Sequence, residues 1–352
     1  MEFTTVSNKY FYIIMVFIAF LIIVYFGKGL KENYLEKNND YEMIQTYLLN
    51  DSPLYGFNKP KLWIHTKYEI NARKWKSFQS RNTTDLNQPF IHLTIKTIVN
   101  HCSRDFNVCL IDDETFGKLL PNWDVDLAQV AEPTRSRIRQ LGLLKLVYYY
   151  GGMVVPNSFV CCRNLKALYD KETIDGKAFI CEGVAKSSNV VTNKKHRLFL
   201  PDLYMFGAKK NSPIIQEIIE FSKSQNREQH FTSEPEFLGD ISMMILSLSL
   251  NDANKINLVD GKMVGVKNTK RKPILIEDLL GDGFLELEPT HYGIYIPDDE
   301  ILSRTKYSWF AVLSKEELMT SNITIMKYII ASLLETSGEY TTANQREIRS
   351  VV

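Results

Sequence analysis

The chain has 352 residues, 45% of them hydrophobic and 24% charged, with a formal net charge of +1. This is enough apolar material for one large core or two modest ones. The near-neutral balance excludes a bulk electrostatic case for nucleic acid, so no nucleic-acid partner is expected.

The first feature in chain order is Tyr10 to Phe26, an uncharged run of 17 residues flanked by Lys9 and by Lys28 and Lys31. At the helical rise it spans about 25 Å, near the short end for a membrane helix. A signal peptide would have a shorter apolar region followed by a small-x-small site, which Gly27-Lys28-Gly29-Leu30 does not supply. The expectation is an uncleaved single-pass anchor (10–26) behind a short tail (1–9), then a stalk (27–58), a globular body (59–335) and a C-terminal tail (336–352). Flanking lysines leave its orientation undetermined. A eukaryotic or viral chain of this layout would sit in an endomembrane of the ER or Golgi kind. Asn82-Thr83-Thr84 and Asn322-Ile323-Thr324 are glycan acceptors if the body faces a lumen.

The body opens with "KPKLWIHT", Lys59 to Thr66, whose alternating apolar residues predict a buried strand. "PFIHLTIKTIVNHC" has helical spacing and opens with Pro89. "FNVCLIDD" is a short strand ending in Asp112 and Asp113, and "DDETFGKLLP" starts a helix with acids in its first turn. "TRSRIRQLGLLKLVYYYGG" is a long amphipathic helix stopped by Gly151-Gly152, and "MVVPNSFVC" reads as the strand after it. This alternation predicts an α/β fold with a mostly parallel, doubly wound sheet.

The second half is more mixed. "AFICEGV" and "LPDLYMFGA" read as strands, and "SPIIQEIIEFSKSQ" as a helix with Ser212 as its cap and Pro213 at its first position. "PEFLGDISMMILSLSL" is a further helix. Phe284 to Trp309 reads as short strands and loop, and "SKEELMTSNITIMKYIIASLLE" as a closing helix. The basic run Lys267-Asn268-Thr269-Lys270-Arg271-Lys272 reads as a solvated loop rather than a phosphate-binding patch. Cys102, Cys109, Cys161, Cys162 and Cys181 form no C-x-x-C pair and suit buried free thiols, although their number permits disulfides.

The order "PKLWIHT", "PFIHLTIKTIVNHC", "FNVCLIDD", "LGLLKLVYYYGG" and late "YSWF" resembles glycosyltransferases of the capsular-polysaccharide and initiating-mannosyltransferase type. That family carries a sugar-binding region with a D-x-D motif. The resemblance covers roughly Lys59 to Trp309, and "YYYGG" is its most specific piece. It implies a GT-A-like, Rossmann-type sheet flanked by helices and often anchored in a membrane. It also implies a nucleotide-sugar donor, a divalent metal such as manganese, and a glycan or protein acceptor. Two carboxylates at a strand end would hold the metal against the donor diphosphate and neutralise the leaving group.

This chain departs from the pattern where the chemistry lies. The two D-x-D positions hold Pro156 and Ser158, and the helix positions for the supporting Asp and Arg hold Gln140 and Leu143. Arg135, Arg137 and Arg139 lie about a turn earlier and offer a replacement cation. The resemblance places His65, Arg137, Arg139, Gly151, Gly152, Asn157, Ser158, His291 and Trp309 around a donor. For His65 and Trp309 a core role competes, and for Asn157 an ordinary turn. Asp112 and Asp113 are candidates for metal ligation or catalysis, or else helix caps. Asp202, Asp240, Glu234 and Glu236 are candidate bases for an acceptor hydroxyl, and spacing selects none of them. Two readings stand: a membrane-anchored glycosyltransferase working without the D-x-D metal, or an inactive glycosyltransferase-like protein that binds a sugar, nucleotide or partner.

Overall fold

Leu62, Trp63 and Ile64 are fully buried because β1 (Lys61–His65) runs through the middle of a sheet, not along its edge. In this computed structural model the chain divides into two compact units, Met1–Leu48 and Leu49–Val352. The residues described are 59–66, 88–185, 197–228, 234–251 and 255–334. The expected anchor, the whole stalk, Asn82, the C-terminal tail and the side chains of Glu234 and Glu236 lie outside them. No helix among the described residues is long and apolar enough to cross a membrane.

The order after β1 is α1 (Phe90–Cys102), β2 (Asn107–Ile111), α2 (Thr115–Leu119), α3 (Thr134–Tyr150), β3 (Gly152–Val154), β4 (Phe159–Cys161), α4 (Lys166–Glu172) and β5 (Ala178–Val184). Then come β6 (Phe199–Ala208), α5 (Pro213–Glu228), α6 (Glu234–Asn251), β7 (Ile256–Val259), α7 (Ile276–Leu280), β8 (Gly293–Tyr295), α8 (Asp298–Ser303) and α9 (Lys315–Thr320). A last helix, α10, covers residues 324–334. Six strands form one sheet in the order β2-β1-β3-β6-β5-β7, and β4 and β8 form a separate ribbon. β6 is antiparallel to both its neighbours, and the other pairings in the large sheet are parallel. The mostly parallel α/β sheet flanked by helices expected from the alternation is therefore present.

Two cores hold it. On one side Leu144 and Val147 of α3, with Ile215 and Ile218 of α5 and Ile245 of α6, pack on Trp63, Val154 and Phe206. In the other core Phe90 and Leu93 of α1 meet Val160 and Ile294 of the ribbon and the C-terminal helices.

Several local expectations are corrected. "MVVPNSFVC" is two strands in two sheets, not one, because Pro156 has no N–H to continue a ladder and the chain turns at Pro156–Phe159. The closing helix is broken at Ser321–Ile323, and its first half begins at a Ser314/Glu317 capping box. The stretch read as loop contains α8, with Asp298, Asp299 and Glu300 in its first turn. Ser212 precedes α5, but its hydroxyl is buried without a hydrogen-bond partner, so it does not cap through its side chain. The basic run is not a uniformly solvated face. Lys267 is buried against Glu182 at 2.6 Å and Asp260 at 3.1 Å, while Lys270 pairs with Glu286 at 2.9 Å.

Candidate functional site at the carboxyl edge of the sheet

From β1 the chain passes to β2 on one side and then returns to β3 on the other. The carboxyl edge at β1 is therefore a switch point, where α/β sheets open a crevice for ligands. His65, Asp112, Asp113 and the loop Val155–Ser158 all leave the sheet there.

The Gly-Gly turn lies at the opposite, amino edge, beside Lys61 at the start of β1, so it sets where β3 begins and does not line the crevice. Gly151 has φ 72° and accepts a hydrogen bond at its carbonyl from Trp63 Nε1 at 3.0 Å. Gly152 has φ 97°, and a Cβ there would stand 2.1 Å from the Lys61 carbonyl oxygen. Only glycine lets β3 start this close to β1. The most specific piece of the sequence resemblance thus has a structural cause in this chain.

Asp112 and Asp113 divide their work. Asp112 Oδ1 accepts from the Thr115 N–H at 2.9 Å and its hydroxyl at 2.6 Å, so it caps α2. Asp113 is gripped by Arg139, whose Nε donates to Oδ1 at 2.7 Å and Nη2 to Oδ2 at 2.6 Å. His65 Nε2 stands 2.9 Å from the same Oδ1, and its ring stacks on Phe116 with centroids 5.7 Å apart. Burial pushes the Asp113 carboxyl up, but hydrogen bonds and charge from Arg139 and His65 outweigh it and hold it well below the usual carboxylate range. Glu132 completes the cluster. Its Oε1 accepts from Arg139 at 3.2 Å, and its Oε2 accepts from the Ser136 N–H at 3.1 Å.

On the other flank, Asn157 offers its carbonyl to Thr94 Oγ1 of α1 at 2.5 Å, which braces the loop from below. Ser158 is fully buried, and its hydroxyl donates to the Ile296 carbonyl at 2.7 Å and lies 3.2 Å from Asp298 Oδ1. A carboxylate from the β8–α8 junction thus stands beside Ser158. The Tyr295 hydroxyl nearby is pushed well up by burial and then by Asp299, Asp298 and Asp202. Tyr204 stacks on Tyr295 at 4.3 Å and joins the ribbon to the large sheet.

Two side chains at this edge are left over. Gln140, next to Arg139, has a buried Oε1 with no hydrogen-bond partner. The half-buried Asn157 side chain makes no hydrogen bond among the described residues. Both are primary amides, able to donate and accept to a neutral hydroxyl.

These residues do not fit a D-x-D metal. Pro156 offers no donor, the Ser158 hydroxyl is occupied, and the Asp113 oxygens are held by Arg139 and His65. No group of three His, Cys, Asp or Glu suited to a metal occurs among the described residues.

The remaining candidates scatter. His291 lies beyond the far end of the β4–β8 ribbon, where Cys161 pairs with Gly293, while Ser158 is at the other end by Ile296. Its Nδ1 is 2.7 Å from the Glu288 carbonyl, and burial pushes its pKa down. Trp309 is 43% exposed and packs edge-on against Phe310, so it is not a core residue. Asp202, on β6, accepts from the Tyr204 N–H at 3.2 Å. Asp240 is exposed on α6, and Arg137 is half-buried on α3. Glu132 and Asp298 were missed by sequence reasoning. Their signal was local, in acids placed just before α3 and at the first position of α8.

No protein-family model and no curated protein matches the chain. Among solved structures it is similar to one described as "PaToxG Glycosyltransferase", at 14% identity and a TM-score of 0.32, over 55% of this chain and 70% of that one.

Proposed function

We propose that the unit Leu49–Val352 is a GT-A-like glycosyltransferase domain that binds a nucleotide-sugar donor at the carboxyl edge of its sheet without a D-x-D metal. The observation that supports it is the buried, unpartnered amide oxygen of Gln140, which follows Arg139 of the His65–Asp113–Arg139 cluster in α3, with the Asn157 amide on a loop that leaves the same sheet edge. Amides suit sugar hydroxyls, and a buried acceptor with no partner is costly unless a ligand completes it. The departing diphosphate would meet the positive charge of Arg135 and Arg137 at the start of α3, with Arg139 largely neutralised by Asp113. The acceptor would be a glycan or protein hydroxyl, and a membrane anchor at Tyr10–Phe26 would hold the domain near it.

The second reading, binding without transfer, is favoured by one observation. Asp112 and Asp113, the acids nearest the crevice, already serve as a cap and an ion-pair partner. The two readings separate in one experiment. The full chain is melted with uridine or guanosine diphosphate in EDTA, for wild type, Gln140→Leu and Asn157→Ala. A ligand at a hundred times its Kd stabilises by about 2.7 kcal/mol, and both substitutions should reduce that shift. No shift with either nucleotide would sink the proposal. A shift without release of sugar from the matching nucleotide sugars would favour the inactive form.

A further inference from the structure

Cys102 closes α1 and Cys161 closes β4, and both are completely buried. Their sulfurs lie 3.8 Å apart although the residues are 59 positions apart in sequence. We infer that this pair is a disulfide site, joining α1 to β4 wherever the chain folds in an oxidising compartment.

The geometry favours it. A disulfide needs its sulfurs at about 2.05 Å, so each must move by less than an ångström along the line between them, within reach of a small χ1 change. The backbone around the pair is already fixed. Thr97 Oγ1 accepts from the Cys161 N–H at 2.9 Å, and Ser332 Oγ donates to the Cys161 carbonyl at 2.6 Å. Two turns back on α1, Thr94 holds the Asn157 carbonyl, so the bond would clamp the helix that braces the loop at the sheet edge. The neighbouring Cys162 is half-buried, and its sulfur faces the Val160 carbonyl at 3.9 Å, while Cys109 bonds the Asn107 carbonyl at 3.4 Å. Cys102 and Cys161 are therefore the cysteines that face each other.

Formation is thiol–disulfide exchange with a small-molecule disulfide. A thiolate of one cysteine attacks the oxidant and releases one thiol, and the second cysteine then displaces the other. Two protein thiols become one S–S bond, and the oxidant is reduced to two thiols. Burial holds the Cys161 thiol protonated, so the exchange proceeds while β4 is open to solvent, during folding or local unfolding.

The full chain is unfolded in urea and refolded with oxidised and reduced glutathione, or with dithiothreitol. It is then denatured, alkylated and digested with trypsin. The expected product after glutathione is a cross-link between peptides 97–104 and 146–163, two hydrogens lighter than their sum, with the alkyl group on Cys162. The oxidised chain should melt several degrees above the reduced one, and Cys102→Ala should abolish that difference. Full alkylation of Cys102 after the glutathione refold, or fragmentation that places the link on Cys162, overturns the assignment. If Cys102→Ala fails to fold, Cys162→Ala keeps the test intact, because it must still give the 102–161 cross-link and the raised melting temperature.

Discussion

Replacing Asp113 with Asn tests whether the cluster at the sheet edge is a structural keystone. Arg139 is 9% exposed at its side chain and Asp113 27%, and two short charge-assisted hydrogen bonds join them. Asn keeps one acceptor but loses the charge and one of those bonds. A bond to a charged group is worth about 1.5–3 kcal/mol, and fully breaking a buried pair costs about 3–5 kcal/mol. The partial exposure of Asp113, and the partner Glu132 left to Arg139, reduce the penalty to about 2–3 kcal/mol. The pH dependence supplies a sharper signature. The folded-state pKa of Asp113 is depressed below its ordinary 3.8, so its contribution is fully present above that value and is lost as pH falls through it towards the folded pKa. The Asp113→Asn variant has no such contribution to lose in that window. Urea denaturation followed by circular dichroism at neutral pH and near pH 3 should therefore show a gap between the proteins that narrows in acid. An unchanged gap at both pH values, or a neutral-pH difference below about 0.5 kcal/mol, would refute the argument.

Three further outcomes follow from the surroundings of single residues. Gly152→Ala must place a Cβ 2.1 Å from the Lys61 carbonyl and should abolish soluble, cooperatively melting protein. Gly176→Ala, also at positive φ but with open space around it, should cost only about 1 kcal/mol. Ser158→Asp sets a second carboxylate beside Asp298 in a fully buried position. It should destabilise by roughly 3–5 kcal/mol at neutral pH, with the loss shrinking towards pH 4 as the crowded pair takes up a proton; thermal melts across that range check it.

The parallel core was legible because each of its signals was local. "KLWIH" and "NVCLI" are apolar runs of strand length, Pro89 precedes a helical face, and Gly151-Gly152 ends α3. Periodicity misled where one residue changed the chain's destination. Pro156 splits an apolar run between two sheets, and the pairing of β4 with β8 spans more than a hundred residues, which no local pattern reports. At the site the lack of a carboxylate in the turn after β3 could be read directly, since Pro156, Asn157 and Ser158 follow the glycines within a few residues. What takes up Asp113, and what reaches Ser158, could not be read. Arg139 and Asp298 arrive through tertiary packing across 26 and 140 positions.

The reversed direction of β6 has a consequence for how this edge can change. β5 ends at Val184 and β6 begins at Phe199, and because the two strands are antiparallel both points lie at the carboxyl edge. A parallel β6 would have spent that connection on a crossover to the opposite edge. Here both of its ends lie at the same edge, so its length and composition are independent of strand register. Doubling such a connection costs only about 0.6 kcal/mol in closure entropy. The connection between these two fixed anchor points can therefore be rewritten while the sheet keeps its register.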